Sequence, residues 1–156
     1  KTYAMTGWRM GYSVWPEAAY EAARKLAVNS YSCVNAAAQW AGLEALTGPQ
    51  DAVGAMLAEF DTRRKAVVAG LNQLPGVSCI TPKGAFYAFP NVKGTGWQAK
   101  PLASALLEQA GVATIGGPDF GVHGEGYIRL SYANSLENIN KALQRIGTFL
   151  IENGKA

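Results

Sequence analysis

Lys1-Thr2-Tyr3-Ala4-Met5-Thr6-Gly7-Trp8-Arg9-Met10-Gly11 opens the chain and decides how the rest of it is read. A glycine stands six residues after the lysine, an arginine two further on, and the stretch continues as Tyr12-Ser13-Val14-Trp15. Over 5–15 the side chains alternate. Trp8, Met10, Tyr12 and Val14 fall on one side; Arg9, Gly11, Ser13 and Trp15 fall on the other. A period of two predicts a strand, stopped by Pro16. Arg9 near the start of a largely apolar strand requires an anionic partner, because an unpaired charge there is costly.

The remaining composition narrows the field. Of 156 residues, 49% are hydrophobic and 16% charged, which predicts a globular chain rather than a disordered one. The net charge of +3, from 14 basic and 11 acidic residues, is mild, and no basic run exceeds Arg63-Arg64-Lys65. Neither a nucleic acid nor a membrane surface is an expected partner. No apolar stretch approaches the ~20 residues of a membrane span, and the start has neither signal-peptide nor transit-peptide character. Cys33 and Cys79 lack metal-ligand spacing; both are expected as small core residues in a reduced, cytoplasmic compartment. His123 is an ordinary loop residue, since a lone histidine makes neither a metal site nor a triad.

Beyond Pro16, residues 17–28 predict a helix, 34–46 a second, and about 50–74 a long third. In the third, Val53, Leu57, Phe60, Val67, Leu71 and Leu74 recur at steps of three and four, broken by Arg64. Such a helix would be about 35 Å long, suited to connecting two packed bodies. Strands are expected at 77–81 and 85–90, then a helix from Pro101 to Gly111, strands at 112–115 and 127–133, and a last helix capped by Ser135. The pattern is α/β, with a natural division near Gly48-Pro49.

Five residues stand out chemically. Lys1 has an amine that could form an imine if desolvated near a carbonyl; taken without its neighbours it reads as a solvated terminal lysine. Arg9 is either a strand-end salt bridge or a clamp for an anion such as phosphate, with Gly7 and Gly11 permitting close backbone approach. Arg129 lies mid-strand in Tyr127-Ile128-Arg129-Leu130-Ser131-Tyr132-Ala133. The alternation puts Tyr127, Arg129 and Ser131 on one face and Ile128, Leu130 and Tyr132 on the packing face. A guanidinium fork on a rigid strand suits bidentate capture of a carboxylate, unless Asp119 or Glu125 pairs with it first. Phe86 and Phe120 either wall a pocket or belong to the core. The segment 116–126 holds five glycines in eleven residues but matches no phosphate-binding loop, and reads as a mobile segment beside the site.

With these residues set out, the sequence resembles the class I pyridoxal-phosphate aminotransferases, the aspartate aminotransferase-like group. Lys1 through Tyr12 resembles their cofactor-lysine motif. Gly84-Ala85-Phe86-Tyr87-Ala88-Phe89-Pro90 resembles a small-domain strand, and Gly111 to Gly121 followed by Tyr127–Ala133 resembles the substrate-carboxylate segment. The resemblance covers nearly the whole chain and implies the tail of a large cofactor-binding domain over 1–48. It implies the small C-terminal α/β domain of a fold type I transferase over 49–156, with the helix at about 50–74 joining them.

It further implies that Lys1 forms the imine with pyridoxal 5'-phosphate and shuttles the proton. Arg9 then binds the cofactor phosphate, Arg129 grips the α-carboxylate of the amino acid, and Phe86 lies near that arginine. Arg9 and Arg129, on separate bodies, would hold the two ends of the bound substrate. The implied reaction moves an amino group between an aspartate-like or aromatic amino acid and a 2-oxo acid, in a homodimer. A lyase or a cyclopropane-forming synthase of the same fold shares these motifs, and a non-catalytic dimerisation or binding module is the reading from another class. No second arginine stands out for a side-chain carboxylate. The family's ring-nitrogen aspartate and ring-stacking aromatic have no counterpart here, so the chain is expected to begin within an active site, to be inactive by itself, and to leave strand 5–15 needing a partner.

Overall fold

The computed structural model describes residues 1–154. The chain divides into two compact units, Lys1–Met56 and Leu57 onward, and the division falls inside a helix.

In the first unit the expected strand is absent, a correction to the alternation over 5–15. Thr6–Trp8 is instead a turn of 3-10 helix, and both Ala4 and Arg9 take left-handed backbone conformations (φ 54° and 52°). A strand exists only if a neighbour accepts and donates its ladder hydrogen bonds, and among the described residues none pairs with this segment. Helix α1 (Glu17–Tyr31) starts directly after Pro16, whose carbonyl accepts from Ala19 and Tyr20. Helix α2 (Ala36–Thr47) is capped by Asn35, whose side chain accepts from the Ala38 amide at 3.3 Å. Met10 packs on Gly42 of α2, where a Cβ would collide with it. Cys33 is exposed, contrary to its expected burial, because it lies past the end of α1, where Ser32 turns the chain away at φ 62°.

The second unit contains the core. Helix α3 (Asp51–Leu71) runs into it from the first unit, burying Val67 and Leu71 while Phe60 and Leu74 pack alongside. The off-pattern Arg64 pairs with Asp61 at 2.6 Å and donates to the Pro82 carbonyl at 3.2 Å, which fixes the following loop. Three short antiparallel strands, β1 (Tyr87–Ala88), β2 (Ile115–Gly116) and β3 (Ile128–Ser131), form a sheet in the order β1-β3-β2. Helix α4 (Ala99–Ala110) ends on Gly111 in the left-handed conformation (φ 63°), as the Pro-to-Gly spacing predicts. Helix α5 (Leu136–Asn153) starts on the Ser135 cap, with Ile139, Ile146 and Leu150 buried.

The strand expected at 77–81 is reduced to a single bridge between Ser78 and Asn91. The reason is local: the Asn72 side chain accepts from the Cys79 amide at 2.8 Å and donates to its carbonyl at 3.0 Å, taking the bonds a ladder would need. Tyr132, 1% exposed, keeps its hydroxyl satisfied by donating to the Ala85 carbonyl at 2.9 Å.

Candidate functional site

Arg129 sits on β3, the central strand, opposite Ile115. Its neighbours Ile128 and Leu130 are buried against the core, so the alternation turns Arg129 to the outer face of the sheet. Register pairs Tyr87 with Ser131, which sets Tyr87 diagonally beside Arg129 on that face. The guanidinium carbon lies 4.4 Å from the centre of the Tyr87 ring and 4.3 Å from that of Phe120.

The two acids within reach of Arg129 along the chain are engaged elsewhere. Asp119 pairs with Lys100 at 2.7 Å. Glu125 accepts from the amides of Ala99 and Gly126, both at 3.1 Å, and so closes the start of α4. Among the described residues Arg129 has no ion pair and no side-chain hydrogen bond. Its positive charge is therefore compensated only by ring faces, which leave its N–H donors open.

Phe86 immediately precedes β1, half-buried against the core and tilted on Phe60 at 6.2 Å. Its ring is also 4.6 Å from that of Tyr87. Tyr87, one residue later, is the aromatic that meets the guanidinium, and the sequence reading passed over it. Alternation alone does not choose between Phe86 and Tyr87, because the cross-strand register brings Tyr87 beside Arg129. Phe120 ends a 3-10 turn (Gly117–Phe120) inside the glycine-rich segment. A second 3-10 turn, Val122–Gly124, follows it. Gly117 and Gly124 meet back to back, each occupying the space that a Cβ on the other would need.

Lys1 and Arg9 belong to the first unit. Lys1 lines a cleft of about 890 Å³ together with Tyr3, Met10, Tyr12, Gln39, Leu43 and Leu46. No carboxylate is among the residues lining this cleft. Arg9 is exposed, lies outside that lining, and donates from Nη1 to the Thr6 carbonyl at 3.1 Å. Among the described residues it has no acidic partner. These residues suit part of an aldehyde-bearing phosphorylated cofactor: an amine at the wall of an aromatic-flanked cleft, and a guanidinium open to an anion. The described residues contain no group of three or more His, Cys, Asp or Glu side chains arranged to hold a metal ion. No described helix is long and apolar enough to cross a membrane.

Comparison with known proteins agrees with the motifs. The family profile described as aminotransferase class I and II matches residues 1–146. An aspartate aminotransferase of Pyrococcus horikoshii is 45% identical over 148 residues, covering 94% of this chain and 38% of the relative. The aspartate aminotransferase of Geobacillus stearothermophilus is 39% identical over 155 residues, covering 96% of this chain and 39% of the relative. Among solved structures, an aromatic aminotransferase from Pyrococcus horikoshii superposes with a TM-score of 0.92 at 39% identity, over 97% of this chain and 41% of that one. The chain belongs to the class I and II aminotransferase family, and its α/β fold is that of the corresponding part of the fold type I enzymes. It spans about two-fifths of the length of the relatives it matches.

Proposed function

We propose that the protein carrying these residues is a pyridoxal-phosphate-dependent aminotransferase that moves an amino group from an acidic or aromatic amino acid to a 2-oxo acid. The observation that carries this reading is Arg129: a cation on the central strand, flanked by rings and relieved of both nearby acids. A guanidinium in that state recognises a carboxylate bidentately, and every substrate of the proposed reaction bears an α-carboxylate.

Lys1 Nζ would hold the cofactor's aldehyde carbon, and Arg9 would hold its phosphate. Phe86, set between Phe60 and the Tyr87 ring, would support the segment that carries Tyr87. The cofactor, when bound, supplies an electron sink for the substrate carbon that loses its proton. Lys1 Nζ, as a neutral amine beside the substrate carbon, would be the base that takes this proton and the acid that later gives it back. The carboxylate that would face the cofactor's ring nitrogen is absent from the lining of the Lys1 cleft and has to come from elsewhere in the protein. A cytoplasmic location and a homodimer complete the proposal; the homodimer draws support from the apolar side chains the first unit leaves uncovered, among them Tyr12, Val14, Leu26 and Trp40.

The test is transamination by the complete protein supplied with pyridoxal phosphate, read as 2-oxo acid release from aspartate and from phenylalanine. Arg129→Ala is expected to lower kcat/KM for both donors by a common factor equivalent to about 2–5 kcal/mol. An unchanged kcat/KM removes Arg129 from the site. The 156 residues alone are expected to release no 2-oxo acid.

A further inference from the structure

We propose that Tyr87 and Phe120 are positioning residues for Arg129. On this account their ring faces, rather than an acid, set the guanidinium in the orientation that receives a substrate carboxylate. The inference rests on the reading of Arg129 as the carboxylate-binding residue and adds what orients it.

Arginine has a long, flexible side chain, and something must hold it if two of its N–H groups are to meet two carboxylate oxygens together. An acid could do so only by consuming the charge. Here the guanidinium carbon lies 4.4 Å and 4.3 Å from the two ring centres, distances at which each ring restrains the planar group without accepting its N–H donors.

Each ring is itself anchored. Tyr87 is in β1, paired in register with Ser131. Phe120 packs edge-on against Phe89 at 6.1 Å, and Phe89 stacks on Tyr127 at 5.5 Å with planes 7° apart. The turn bearing Phe120 is tied down at two points, by the Asp119–Lys100 pair at 2.7 Å and by the Gly117 amide donating to the Tyr127 carbonyl at 2.7 Å. Phe120 lies outside the core cluster and sets its ring against the guanidinium.

The experiment uses the complete holoprotein and a matched pair of unreactive probes, 3-phenylpropanoate and 3-phenylpropan-1-ol, with binding measured by calorimetry. Tyr87→Met and Phe120→Met keep side-chain bulk but remove the ring. Each is expected to weaken 3-phenylpropanoate by about tenfold, leave the alcohol within about twofold, and raise KM for phenylalanine with kcat nearly unchanged. Tyr87→Phe and Phe120→Tyr, which retain the ring face, are expected to bind as the unaltered protein does.

Equal affinity for the carboxylate in the Met variants overturns the proposal. So does equal weakening of carboxylate and alcohol, which reports a general packing role, and so does loss of binding in the ring-retaining variants. Should a Met variant fail to fold, the ring-retaining variants and the other Met variant decide the matter on the same criteria. Arg129→Ala separates the two levels. If it leaves 3-phenylpropanoate binding intact, the functional reading itself fails; if it abolishes binding while the Met variants do not, only the positioning role fails.

Discussion

The unit from Leu57 onward and the unit Lys1–Met56 bury very different amounts of apolar surface for their content. In the former, α3, α4, α5 and the sheet close over a contiguous core that includes Leu71, Leu102, Leu106, Ile128, Tyr132 and Phe149. In the latter only Ala38 and Gly42 are buried among the described residues, while Tyr12, Val14, Leu26 and Trp40 are between 68% and 90% exposed. Apolar patches of that kind mark surfaces that another body covers. Stability and site thus separate along the chain: Arg129 stands on a strand with its own support, whereas Lys1 and Arg9 stand on a unit that lacks a core of its own.

The sharpest way to break this contrast is to cut it. A polypeptide starting at Asp51, which keeps α3 whole, is expected to unfold cooperatively in denaturant. One ending at Met56 is expected to show no cooperative transition and to bind a hydrophobic dye. Cooperative unfolding of the shorter piece would end the comparison. Next in size, Leu106→Ala in the 156-residue chain, at a position 0% exposed, should cost about 2–5 kcal/mol. Trp40→Ala, at 73% exposure, should stay within about 0.5 kcal/mol by the same denaturant measurement.

Asn72→Ala tests the clamp that replaces a strand pair. It leaves the amide and carbonyl of the buried Cys79 without their partners and should cost about 1–3 kcal/mol. The smallest effect is electrostatic. Hydrogen bonds from Lys65 and then Arg64 hold the Asp61 carboxyl below its ordinary value. Because the folded value is depressed, the stabilisation is present above the ordinary carboxylate range and fades as pH falls through it. Asp61→Asn should therefore lower the thermal midpoint slightly at pH 7, by an amount that starts to shrink near the ordinary carboxylate value of about 4 and is lost only below the depressed folded value.

Legibility in the sequence followed how local each cause was. Helix α5 was readable because Ser135 and the spacing of Ile139, Ile146 and Leu150 carry its cap and its buried face within one segment. The facing of β3 was readable for the same reason, from Ile128, Leu130 and Tyr132. The stretch 5–15 was misread because alternation describes which side chains a strand would present, while the strand itself depends on a neighbour far away in sequence. Residues 77–81 failed similarly, since the side chain of Asn72, just past the end of α3, supplied the bonds. In the candidate site, Arg129 was conspicuous as a charge among apolar residues. Its partner Tyr87 was not, because cross-strand register decides that contact. The expected rivals Asp119 and Glu125 were excluded only by Lys100 and by the start of α4, neither of which the local sequence around Arg129 reveals.

The abutting backbones of Gly117 and Gly124 carry a consequence for how this segment can drift through generations of mutation. Between those two positions the chain forms a closed bight, cinched where no atom larger than hydrogen fits. Exposed Val122 and His123 are free to change identity, but an insertion would unseat the cinch and a methyl group at either end would pry it open. Its span should therefore stay fixed while the spelling at those two exposed positions wanders.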